Sequence, residues 1–422
     1  MKTSTAILAS FLATQIMASG GPLDGVWFNT DPTAKSIPSN YGFTTQAPRV
    51  TIDQQKRTCV DGKPFFPIGL YSVSPQEKIA EVKELGFNTV HTYAGEGTHG
   101  KDDAASPEAM RAYLDAAEGL GLKVFMGLPR FQVVKGDALR LEARVKLLRD
   151  SPALLVWYLF DEPDTYAGGI AAAPVKAIAD MLRAQDPNHP SMLVLCLLEQ
   201  RQGFHAGHPE YVALPDILMT DPYPRKPGNA DLSLVTREIA VARKLVRDAK
   251  PIWNVVQLHG KGPGGTGWGL QEPDWTELRN MTYQSLVAGA KGITFFCYNG
   301  GGEFTLLKSP AGLKNAKRIA GELGTLAPIL LSDELKVSPI AVEKADGLLS
   351  RTFVHEGRTF LMVVNSKPKG PVTLTATAVG GTLPAEAKVL FEERSMKTID
   401  GTLTEPIEAN GVRVYELQPT SR

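Results

Sequence analysis

Two carboxyl groups stand side by side where an apolar run ends, in Leu154-Leu-Val-Trp-Tyr-Leu-Phe-Asp-Glu-Pro163. Glu162 follows the apolar and aromatic residues and precedes a proline, so its carboxyl group should project from the end of a buried strand. Desolvation there, with Asp161 beside it, favours the protonated form that a general acid requires. A second carboxylate, Asp221, stands in Met219-Thr-Asp-Pro-Tyr-Pro224. One protonated and one ionised carboxyl group can cleave a glycosidic bond. The first protonates the leaving oxygen, and the second attacks or activates water. Each acid also has a structural counterpart reading. Asp-Glu-Pro can cap a loop and open a helix, and Asp before Pro commonly starts a turn.

Groups suited to holding a substrate recur at the same kind of position. Tyr71, His91, Tyr93, Arg130, Tyr223, Gln257, Tyr298 and Asn299 each end a predicted strand or open the loop after it. With Asp161 they form the candidate binding set, supplying hydrogen bonds and aromatic faces for stacking on sugar rings. Trp268 joins them from the glycine-rich segment 260–268, whereas Trp157, Trp253 and Trp275 are expected to pack internally. Glu199 and Glu303 are further acids at strand ends. The 7 histidines are scattered, and the 3 cysteines (Cys59, Cys196, Cys297) form no C-x-x-C pair. No metal or other cofactor is expected. Cys196 and Cys297 read as small buried apolar residues.

These side chains need a scaffold that brings many strand ends together. After a hairpin signal at Asp61-Gly62, apolar strands alternate with helical stretches eight times. The strands begin near Phe65, Asn88, Leu122, Leu154, Ser191, Asp216, Pro251 and Gly292. Near-continuous apolarity fits strands covered on both faces. Eight such units predict a (β/α)8 TIM barrel, whose chemistry gathers at the C-terminal ends of the strands. The first strand leads into Gly69-Leu-Tyr-Ser-Val-Ser74, which lacks the G-x-G-x-x-G of a dinucleotide-binding sheet. Beyond about residue 332, short strands separated by Gly and Pro turns predict a C-terminal antiparallel β-sandwich. The expected division is a signal peptide (1–20), a lead and hairpin (21–62), a catalytic barrel (63–330) and a sandwich domain (333–422).

Composition narrows the partners. The 422 residues carry 45 Lys+Arg and 45 Asp+Glu, a formal net charge of zero. That balance argues against nucleic acid or an anionic membrane surface as the main partner. The start, Met1-Lys-Thr-Ser-Thr-Ala-Ile-Leu-Ala-Ser10, has a single Lys before an apolar stretch and small residues, the outline of a secretory signal peptide. The expectation is a soluble protein, secreted or periplasmic, without a membrane span, acting on a carbohydrate.

Three segments carry a resemblance. Val60-Asp-Gly-Lys-Pro-Phe-Phe-Pro-Ile-Gly69 looks like the hairpin-into-first-strand opening of clan A glycoside hydrolases. The passage 151–163 resembles their fourth-strand motif, in which Asn-Glu-Pro carries the acid/base Glu; here Asp161 replaces the Asn. Met281-Thr-Tyr-Gln-Ser-Leu-Val-Ala-Gly-Ala-Lys-Gly292 is similar to their last helix-to-strand passage. The resemblance implies a secreted glycoside hydrolase with Glu162 as general acid/base and no cofactor. It also implies a nucleophilic Glu at the end of the seventh strand, where this chain has Gln257. Asp221 is therefore the candidate second carboxylate. Two alternatives stay open: a catalytically inactive glycan-binding barrel, or a substrate-assisted hydrolase of 2-acetamido sugars in which Asp161 orients the acetamido group. A polysaccharide lyase using Tyr and Arg is a third.

Overall fold

The computed structural model describes residues 49–98, 100–165, 169–196, 198, 208–261, 269–300 and 304–417. The expected signal peptide, most of the lead segment, Glu199, Trp268 and Glu303 lie outside the described residues. A three-stranded antiparallel sheet (Val50–Ile52, Thr58–Val60, Lys63–Phe65) precedes the barrel. Eight parallel strands then close on themselves: Ile68–Leu70, Thr89–Val90, Lys123–Gly127, Leu154–Asp161, Ser191–Leu195, Ile217–Thr220, Ile252–Gln257 and Gly292–Phe296. They are called the first to eighth strands below.

Helices cover the outside, so the strands are buried on both faces and read as apolar runs. The fourth strand is the clearest case, with every residue from Leu154 to Phe160 buried. The local signals for the covering helices are ordinary. Asp274 and Glu277 form a capping box at the start of Trp275–Ala288, and Gly289 ends that helix at φ 99°. The third crossover differs from a simple loop. Two helices follow the strand, Arg130–Lys135 and Ala138–Leu148, and Arg130 opens the first of them.

The C-terminal region is a sandwich of a three-stranded and a five-stranded antiparallel sheet. The sequence marks four of its strands, and the structure adds Ile340–Val342, Glu386–Val389, Arg394–Lys397 and Thr402–Ile407. These are short or polar, and the last contains Pro406, so their pattern is weak. The strand Arg358–Asn365 shows how the sandwich is seated. Phe360, Met362 and Val364 join the barrel's apolar core, while Leu361 and Val363 join the core between the two sheets. That alternation follows directly from the two-residue period of a strand. Among the described residues no helix is long and apolar enough to cross a membrane.

Candidate active site

The ends of the fourth and sixth strands bring Glu162 and Asp221 together. A carboxyl oxygen of each lies within 4.8 Å of the other and of the Cys196 Sγ. Local backbone geometry makes this possible. The pairing of the fourth and fifth strands shifts register between Tyr158 and Asp161, and Glu162 then adopts the left-handed conformation at φ 50°. Successive strand residues would face opposite sides; the irregularity brings Asp161 and Glu162 into electrostatic contact instead. The Thr165 hydroxyl donates to Glu162 Oε2 at 2.8 Å.

Both carboxyl groups are pushed above the usual carboxylate range, foremost by burial. The negative charge of Asp161 adds to this in each, and for Asp221 so does that of Glu162. Two like charges so close resist double ionisation, which raises the pH at which the pair loses its last proton. Asp221 is the deeper, 5% exposed, while Glu162 is half-buried.

Asp161 does a different job. Its Oδ2 accepts from the Tyr93 hydroxyl at 3.1 Å and from Arg130 Nη2 at 2.9 Å, and its Oδ1 accepts from the Tyr158 hydroxyl. Arg130 also pairs with Glu96 Oε2 at 2.9 Å, and Glu96 Oε1 meets His91 Nε2 at 2.6 Å. His91, Glu96 and Arg130 are all buried. The expectation that His91 and Arg130 contact substrate is therefore revised: both are turned into a buried charged chain ending at Asp161. Glu96 and Tyr158 are missing from the sequence-derived set. Glu96 lies five residues past His91, and only the fold folds it back.

Gln257 is likewise revised. It is fully buried; its amide nitrogen donates to the carbonyls of Arg225 (2.9 Å), His259 (3.1 Å) and Gln271 (3.0 Å), and its Oε1 accepts from Arg225 N at 2.9 Å. It knits loops together beneath the surface. Tyr298 and Asn299 each have a protein partner. The Tyr298 hydroxyl donates to Glu81 Oε2 at 2.7 Å and the Asn299 amide to the Ser74 carbonyl at 3.0 Å. Trp275 packs against Arg318, whose guanidinium carbon lies 3.8 Å from the ring centroid.

Tyr71, Tyr93 and Tyr223 gather around Phe296. The Tyr71 ring centroid lies 6.1 Å from that of Tyr93 and 5.8 Å from that of Phe296, and Tyr223 sits 6.0 Å from Phe296. Tyr71 is buried, whereas Tyr93 and Tyr223 are partly exposed and can meet a ligand. His259 packs edge-on to Tyr223 at 5.0 Å, and burial lowers its pKa to about 4, leaving it neutral at ordinary pH. Cys196, read from sequence as apolar filling, has its sulfur beside the carboxyl pair. Glu162, Cys196 and Asp221 are the group among the described residues whose donors could together hold a metal ion.

No known family pattern matches the chain, and no curated protein matches it. Solved structures do. A glycoside hydrolase family 5 protein from Bacteroides vulgatus aligns with TM-score 0.56 and 15% identity over 88% of this chain and 93% of its own. A family 27 β-L-arabinopyranosidase from Geobacillus stearothermophilus aligns at 0.54 and 12% identity, covering 84% and 97%. An α-amylase from Geobacillus thermoleovorans, complexed with acarbose, aligns at 0.53 and 9% identity, covering 88% and 95%. The chain shares its fold with these three proteins. At such identity the likeness concerns architecture: a closed eight-stranded barrel with C-terminal antiparallel sheets.

Proposed function

We propose that the protein is an exported glycoside hydrolase that cleaves O-glycosidic bonds in an oligo- or polysaccharide at the Glu162–Asp221 pair. The observation carrying this reading is a close pair of carboxyl groups, from different strands, at the C-terminal ends of the strands of a barrel that shares its fold with glycoside hydrolases. Glu162, the less buried member, meets the substrate and hands a proton to the leaving oxygen. Asp221, whose pKa burial raises the further, is the second carboxyl group of the pair. Retaining enzymes hold the two groups about 5–5.5 Å apart and inverting ones roughly 6.5–9.5 Å. The 4.8 Å bound on one oxygen of each group lies nearer the retaining range. Tyr93 and Tyr223 supply stacking faces.

The geometry disfavours the acetamido alternative. Asp161 would have to hold the substrate's amide, but both of its oxygens already accept from Tyr93, Arg130 and Tyr158. A screen of glycans with product analysis tests the main reading. Turnover that disappears in Glu162→Gln, with azide rescue and a glycosyl azide product from Asp221→Ala, supports it. Sugar binding without bond cleavage across the panel would instead make the barrel a binding protein.

A further inference from the structure

We infer that Glu162, Cys196 and Asp221 form a binding site for a zinc-class divalent cation, and that this cation and the glycan exclude one another at the carboxyl pair. The mutual exclusion rests on the reading of Glu162 and Asp221 as the reacting groups; the metal site itself does not. Its basis is placement. The three residues follow the fourth, fifth and sixth strands, which lie side by side in the barrel. One donor atom of each lies within 4.8 Å of the other two. A zinc ion with bonds of about 2.0–2.3 Å sets tetrahedral ligands roughly 3.4–3.6 Å apart, so side-chain movements of about an ångström complete the set.

A second observation singles out Asp221. It is 5% exposed, and its Oδ1 is buried without a hydrogen-bond partner. A carboxylate oxygen buried with neither a donor nor a cation is costly. Asp161 shows the contrast, since both of its oxygens accept from Tyr93, Arg130 and Tyr158. Asp161 and Asp164 add negative charge around the pair, so a cation placed there is attracted by its surroundings as well as by its ligands. Cys196 forms no disulfide, and its sulfur decides the kind of ion. A thiolate beside two carboxylates suits zinc and disfavours magnesium and calcium, which take oxygen ligands throughout. Three protein ligands leave a fourth position open to water. With the ion in place both carboxyl groups are engaged, and neither can serve the leaving oxygen.

The test is calorimetric titration of the chelator-treated protein with zinc chloride. The expected result is one zinc ion per chain, undisturbed by excess magnesium or calcium. Cys196→Ala and Asp221→Asn should each weaken binding by about tenfold or more, at least the cost of losing a group that merely orients a ligand. Absence of stoichiometric binding, or unchanged affinity in the folded variants, overturns the site. Should the variants not fold, X-ray absorption of the zinc-loaded wild type decides, and a coordination shell without sulfur overturns the site. Zinc should also stop glycan hydrolysis, and a chelator should restore it. Hydrolysis that continues with zinc bound at these residues overturns the mutual exclusion and leaves the hydrolase reading standing. Zinc bound as expected by a protein that hydrolyses no glycan would sink the hydrolase reading and leave the metal site standing.

Discussion

Two regions of the molecule bury an arginine against a glutamate, and they do so to opposite ends. At the seam with the sandwich, Arg279 Nε meets Glu322 Oε2 at 2.8 Å, the Tyr283 hydroxyl donates to the same oxygen, and Arg279 Nη1 donates to the Val412 carbonyl at 3.0 Å. One cation faces one anion, and the surplus donor ties a barrel helix to a sandwich strand. At the mouth, Arg130 is shared by Glu96 and Asp161, with Glu162, Asp164 and Asp221 close by. Negative charge is left over there, and it keeps a proton on the carboxyl pair at pH values where an exposed acid has lost it. Matched burial fastens; mismatched burial poises chemistry.

The sharpest way to break this contrast is Glu162→Gln. Hydrolysis should fall by about three decades or more, as expected when a general acid is lost together with its coupled partner, while the melting temperature stays level or rises. The companion change at the seam is Glu322→Ala. It strands a buried Arg279 and should cost about 3–5 kcal/mol of stability in denaturant titration, with activity per folded molecule unchanged. An activity loss without a stability loss there would erase the distinction.

Gln257→Glu probes the seventh strand. The substitution restores a carboxylate but removes the amide that donates to three carbonyls. It should destabilise by about 1–3 kcal/mol and bring no gain in turnover. The smallest effect concerns pH. Asp221 has a folded pKa raised above its unfolded value of about 4, so its favourable contribution is present below that pH and lost as pH rises through the elevated folded pKa. Asp221→Asn has no such loss. Its melting temperature should exceed the wild type's at pH 8, and the gap should close near pH 4.

Much of this was legible in the sequence, for identifiable reasons. Strands buried on both faces write themselves as apolar runs, so all eight barrel strands could be placed, and with them the strand ends carrying Glu162 and Asp221. What lay hidden depends on side-chain direction and partners. Gln257 and Asn299 stand at strand ends like ligands, yet their amides are spent on backbone carbonyls. The Tyr298 hydroxyl is spent on Glu81. Glu96 and Cys196 gain their meaning only from neighbours on other strands, which no local pattern announces. The minor sandwich strands were missed because short or largely polar segments leave little periodic signal.

The five-stranded sheet has one further consequence. Its two faces are claimed by different cores, Phe360, Met362 and Val364 by the barrel and Leu361 and Val363 by the opposite sheet. Such a sheet cannot be exchanged like a detachable module. Any recombination that joins this barrel to a foreign C-terminal domain must bring along the matching helix face, or else expose an oily wall. The sandwich and barrel are therefore expected to descend together, as a single heritable block.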